Sequence, residues 1–172
     1  MPVLVARVIT AAMVLGSAAC GSTGGGPDAG PAGVTIGTGQ TTFEPLADQD
    51  SIFIVQGPQG GYHFLGSFAA RGIDPGDPDD LSDPDNPTSE FRVFVGELRR
   101  DLAAANRFKQ GLESIPGTGA VGTVGRLVIL DIQDDDELAD VMVRFEVSVT
   151  DSRGATAEDA VDLVAVPHPN NL

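Results

Sequence analysis

Two histidines, one cysteine and two dense runs of acid are the groups in this 172-residue chain whose chemistry could amount to a site. His63 stands in the segment Gly57-Pro58-Gln59-Gly60-Gly61-Tyr62-His63, where Tyr62 and His63 together could bind a ligand or a metal at a Gly-rich loop. Three glycines around a proline are also what a tight strand connection needs, because glycine reaches backbone angles closed to other residues. That structural reading is preferred, with His63 partly buried. No Lys-Ser or Lys-Thr follows and the next residues read as a strand, so this is not a phosphate-binding loop. Asp74, Asp77, Asp79, Asp80, Asp83 and Asp85 crowd a second loop rich in proline. Calcium takes about six to eight oxygen ligands, and Asp79, Asp83 and Asp85 are the first candidates to supply them. The spacing lacks the glycine and the terminal glutamate of an EF-hand loop. Prolines would instead keep such a stretch extended and solvated. Asp134-Asp135-Asp136-Glu137 reads as a solvated turn between two strands.

No catalytic constellation emerges from these groups. His168 lies between Pro167 and Pro169, and no serine stands in a nucleophile-elbow pattern. Zinc calls for several His or Cys ligands, and the chain offers His63, His168 and Cys20. Acids are abundant enough that counting does not exclude a carboxylate pair of the glycosidase kind. A secreted hydrolase with an unrecognised carboxylate site is therefore one alternative to a non-catalytic module. A calcium-dependent adhesion module using the Asp74–Asp85 loop is another. Charge narrows the partners: 25 acidic against 10 basic side chains give a net charge of -15. Phosphate recognition needs a dense positive field, so nucleic acid is excluded as a partner. Docking through a basic patch on anionic lipid is disfavoured on the same ground. Hydrophobic residues make up 41% of the chain, sufficient to build a core rather than a wholly disordered polymer.

The cysteine belongs to an address. Arg7 is the only charge before Cys20, an apolar stretch runs from Val8 to Leu15, and Gly16, Ser17, Ala18 and Ala19 follow. This is too short for a membrane span, which needs roughly 20 apolar residues. It has the three-part pattern of a secretory signal. Ser17-Ala18-Ala19-Cys20-Gly21 resembles the lipobox of bacterial lipoproteins, with Ser17 at the place where Leu is usual and Leu15 further upstream. The resemblance implies that the Cys20 thiol receives a diacylglyceryl group and that cleavage leaves Cys20 as the first residue. Ordinary cleavage after Ser17-x-Ala19, leaving a free thiol, is the alternative. With no second cysteine there is no internal disulfide, so the fold must hold by core packing or a metal. Residues 20–33, from the lipidated Cys20 through the Gly/Pro-rich run Gly21–Gly33, read as a flexible tether.

The elements that would position any site are strands. In residues 141–149, Val141, Val143, Phe145, Val147 and Val149 alternate with Met142, Arg144, Glu146 and Ser148. That period of two predicts a strand with one buried and one wet face. Turn residues 150–154 follow, then a second strand over 156–166 ended by Pro167, making a hairpin. Shorter strands are expected over 34–37, 51–56, 62–71, 91–98 and 126–132. Residues 97–115 are ambiguous. Leu98, Leu102, Ala105, Phe108 and Leu112 recur at helical spacing, yet two strands joined through 102–106 are favoured, because the neighbours are strand-like and Gly111 weakens a helix.

Residues 143–166, with their alternating strand, Thr150-Asp151-Ser152-Arg153-Gly154 turn and closing strand, resemble the end of bacterial immunoglobulin-like modules of the PKD and cadherin-like kind. The chain also resembles predicted lipoproteins of high-GC bacteria that carry a similar Gly-Pro-Gln-Gly-Gly-aromatic-His segment. Nine arginines against the single Lys109 suit such a genome. These resemblances imply an all-β chain: a signal peptide over 1–19, a tether over 20–33, and an antiparallel immunoglobulin-like β-sandwich of about seven to eight strands over 34–172. The function implied is that of a non-catalytic cell-envelope lipoprotein, structural, adhesive or ligand-binding. Its expected partners are a membrane, reached through the lipid anchor with the outer membrane favoured over the inner, and another envelope protein or a glycan.

Overall fold

The computed structural model describes residues 30–103 and 106–171, so Cys20 and the signal segment lie outside the described residues. Those described are nearly all β, in eleven strands of one mixed sheet, with no α-helix among them. The strands are β1 (Gly33–Thr38), β2 (Glu44–Pro45), β3 (Ser51–Gln56), β4 (Tyr62–Arg71), β5 (Thr88–Val95) and β6 (Arg100–Asp101). After them come β7 (Arg107–Lys109), β8 (Glu113–Ile115), β9 (Ala120–Leu130), β10 (Val141–Thr150) and β11 (Thr156–Pro167).

The expected hairpin is β10–β11, paired from Val141↔Ala165 to Thr150↔Thr156. Its alternation works as the hydrophobic pattern requires: Val143, Phe145, Val147 and Val149 are buried, and Met142 is half exposed. Asp151 closes the turn, its carboxylate accepting from the N–H groups of Arg153 and Ala155 at 2.9 Å each. Gly154 takes φ +84°, which a side chain would strain.

Eleven strands replace the expected seven to eight. Two of the additional strands come from residues 97–115. The stretch expected as one strand over 107–115 is two, β7 on β5 and β8 on β9, with Gly111 between them. A Cβ at Gly111 would collide with the Asp77–Pro78 peptide, so the chain breaks where the Asp-rich loop crosses it. One more is β2, a short ribbon beside β1, while β9 is the strand expected over 126–132 begun earlier, at Ala120. Glycine at 122 allows the Phe68 carbonyl to lie where a side chain would otherwise stand.

β3 joins the two halves of the sheet. Its first four residues run parallel to β11 (Ser51↔Val164 to Ile54↔Pro167), and its last two run antiparallel to β4. One half is then β2, β1, β4, β3, β9 and β8; the other is β11, β10, β5, β6 and β7. Phenylalanines from both halves meet in the core. Phe64 of β4 lies edge-on to Phe145 of β10 at 6.0 Å, Phe145 stacks on Phe91 at 5.6 Å, and Phe91 touches Phe68 at 6.0 Å. All four are fully buried, and each is worth about 1.5–3 kcal/mol by transfer from water. Polar ties bridge the margins between the halves. The Asp159 carboxylate on β11 accepts from the Ile36 N–H on β1 at 2.8 Å. On the other side, the buried Asn106 amide exchanges two hydrogen bonds with the Ile129 backbone of β9, at 2.8 and 2.9 Å.

Candidate functional site

The outward residues of β5, β10 and β11 form a register-built grid. One row runs Arg92–Glu146–Ala160, and the next runs Arg107–Glu90–Ser148–Glu158 from β7 to β11. Beyond it lies Lys109–Thr88–Thr150–Thr156. Small side chains at Ala160 and Ser148 leave a floor that the longer neighbours wall in. The result is an open concavity of about 490 Å³ lined by Glu90, Arg92, Arg144, Glu146, Ser148 and Glu158 among others. A second concavity of about 260 Å³ shares Glu90 and Ser148 and extends the trough to Arg107 and Lys109.

Most charges along this trough are tied to one another. Arg144 contacts Glu146 at 2.9 Å and Asp162 at 3.3 Å, and Arg99 contacts Glu146 at 2.7 Å. Arg92 pairs with Asp101 and sits over the Phe94 ring, which Arg99 covers from 4.3 Å. The hydrogen bond from Arg144 to Glu146 raises the Arg144 pKa, and the bond from Arg92 to Asp101 does the same for Arg92. These guanidinium groups are consequently fixed in direction. Such exposed pairs add little stability, about 0–1 kcal/mol each. What they do provide is a surface of alternating charge.

Tyr62 and His63 lie at the start of β4 and point to opposite faces. Tyr62 belongs to the core, while His63 lies on the outer face between Val55 of β3 and Ile129 of β9. The two side chains thus do not converge on a shared ligand position. His63 is only 8% exposed, and this burial lowers its pKa below the usual value. Gly60 and Gly61 take φ +77° and +78°, the tight connection expected from the sequence.

The Asp-rich loop is a train of side-chain turns. The Asp77, Asp80 and Asp83 carboxylates accept from the N–H groups of Asp79, Ser82 and Asp85 at 2.8–2.9 Å. The Ser82 hydroxyl also donates to Asp80, and these bonds lower the Asp80 pKa. Asn86, 2% exposed, ties the turns together: its Oδ1 accepts from Asp77 N–H and its Nδ2 donates to the Asp80 carbonyl. Asp74 pairs with Arg153 at 2.6 Å. Among the described residues, the group of three carboxylates within 4.8 Å is Asp134, Asp135 and Asp136, not Asp79, Asp83 and Asp85. The second acidic run is a capped 3-10 turn over Asp135–Glu137, with Asn171 donating to Asp135 at 2.6 Å.

The trough includes none of the site residues expected from the sequence. Arg107, Glu90 and Glu158 are far apart along the chain, and only the pairing of four strands aligns them. The alternation in β10 was the one available signal, since it puts Arg144, Glu146 and Ser148 on a wet face. Comparison with known protein families, curated proteins and solved structures gave no match to this chain.

Proposed function

We propose that this chain is a non-catalytic binding module of the bacterial cell envelope, exported by residues 1–19, lipidated on Cys20 and displayed on the tether over 20–33. The folded part is read as an immunoglobulin-like sandwich. Strands β3, β4, β9 and β8 correspond to one sheet of that fold, and β11, β10 and β5 to the other. The parallel β3–β11 pairing at the margin and the phenylalanines packed between the halves support this reading. β1, β2, β6 and β7 are additions to it.

The observation that carries the binding role is the trough over Ser148 and Ala160, a polar concavity on three long strands whose charged walls are held by mutual ion pairs. Preorganised polar groups on a rigid element bind a partner with little ordering cost. The diacylglyceryl group on Cys20 carries two acyl chains, which together supply stable anchoring. The test is crosslinking on intact cells, with wild type and Cys20→Ser compared after fractionation. Wild type should stay with membranes and give a discrete crosslinked adduct, and Cys20→Ser should move to the soluble fraction. Membrane retention of Cys20→Ser would overturn the anchor; a chain that crosslinks to nothing would overturn the binding role.

A further inference from the structure

We infer that the trough takes a polypeptide segment carrying a lysine and a carboxylate about 10 Å apart, an assignment that rests on the binding-module reading above. The argument begins with which charges the fold leaves over. Along the trough, Arg92, Arg144 and Glu146 are held in ion pairs. Asp159 accepts from Ile36 and Ala160, Asp151 accepts from Asp74, Arg153 and Ala155, and Lys109 donates to the Pro84 carbonyl. Two exposed side chains, Glu158 and Arg107, make no hydrogen bond or ion pair among the described residues. They stand at opposite ends of one cross-strand row, Arg107–Glu90–Ser148–Glu158.

That row is dipolar. At one end Glu158 and Glu90 flank the Ser148 hydroxyl, and the contact of Glu90 with Arg92 is a loose 3.9 Å. An ammonium group above Ser148 would meet two carboxylates and a hydroxyl acceptor, a suitable set for its three N–H donors. At the other end Arg107 offers a planar fork to a carboxylate, with Lys109 one row further along. From Ser148 to Arg107 is two strand spacings, about 10 Å. A lysine and an acidic residue two positions apart in an extended segment span that length, at about 3.3–3.6 Å of chain per residue plus their side chains. A ligand with a single charge would satisfy one end and leave the other in water. Charge complementarity along the row therefore selects a dipolar peptide.

The probe is a capped Lys-Gly-Asp tripeptide titrated into the full chain, followed by amide chemical shifts. Capped Lys-Gly-Gly and Gly-Gly-Asp carry one charge each for comparison. The dipolar probe should bind at least tenfold more tightly than either, shift the Ser148 and Glu90 amides, and weaken in 0.5 M salt. Glu158→Gln and Arg107→Gln should each reduce the affinity about tenfold without lowering the melting temperature, because neither side chain supports the fold. Glu97→Gln, in the turn after β5, should leave binding unchanged. Absence of saturable binding, equal binding of the three probes, or indifference to Glu158→Gln and Arg107→Gln would overturn the assignment. If cells still give the crosslinked adduct in that case, only the ligand assignment falls; loss of the adduct as well removes the binding-module reading.

Discussion

His63 shows how one side chain can be read in two ways until its neighbours are known. The sequence places it after a Gly-rich turn beside Tyr62; the sheet places it on the outer face between Val55 and Ile129, in little contact with water. Burial lowers its folded pKa below the unfolded value of about 6.5. The unfolded chain then binds the proton more readily, so this contribution to stability is full above pH 6.5 and is lost as pH falls through the folded pKa. Thermal melts from pH 8 to pH 5 should show a decline that His63→Leu reduces, and parallel curves for the two chains would refute it. Asn86 is the complementary case, a buried polar group satisfied on both sides of its amide. Asn86→Ala leaves the Asp77 N–H and the Asp80 carbonyl without that partner and should cost about 1–3 kcal/mol in urea denaturation. A loss below about 0.5 kcal/mol would mean that water replaces the amide.

At the scale of elements, legibility follows how local the determining contacts are. The β10–β11 hairpin was readable because alternation, turn and partner all lie within 27 residues of sequence. In the segment over 97–115 the strand character favoured over a helix was readable but the division was not, since β6 and β7 are cut to fit two ends of β5 and β8 goes to β9. Its apolar residues at helical spacing serve as separate anchors instead: Leu102 and Leu112 are buried, whereas Leu98 is 97% exposed. Gly111 looked like a weak helix position, and its real constraint is the Asp77–Pro78 peptide lying against it. Gly111→Ala should therefore cost about 1–3 kcal/mol through overpacking, measured by equilibrium unfolding. Were helix propensity the only issue at this position, alanine would stabilise instead. The trough was illegible for the same reason as β6–β8. Its floor and its two free charges are set by register among four strands, and no short window of sequence contains them.

Across the whole molecule the question is what holds an acidic chain together. A net charge of -15 repels itself, and the ion pairs that offset it are exposed and individually weak. Screening should therefore help more than it harms, and the melting temperature should rise between 20 mM and 500 mM sodium chloride. A fall would show that the Arg92–Asp101 and Arg144–Glu146 pairs outweigh the repulsion. Divalent ions separate screening from a built site. The Asp77, Asp80 and Asp83 carboxylates already accept backbone N–H groups, and those turns hold the loop without an ion. Calcium at 2 mM should then raise the melting temperature no more than magnesium at 2 mM, since both screen alike. Calcium binds flexible carboxylate loops that magnesium, with its strict octahedral shell, does not favour. A rise specific to calcium would require binding to the native state and would return the acidic loops to the list of sites.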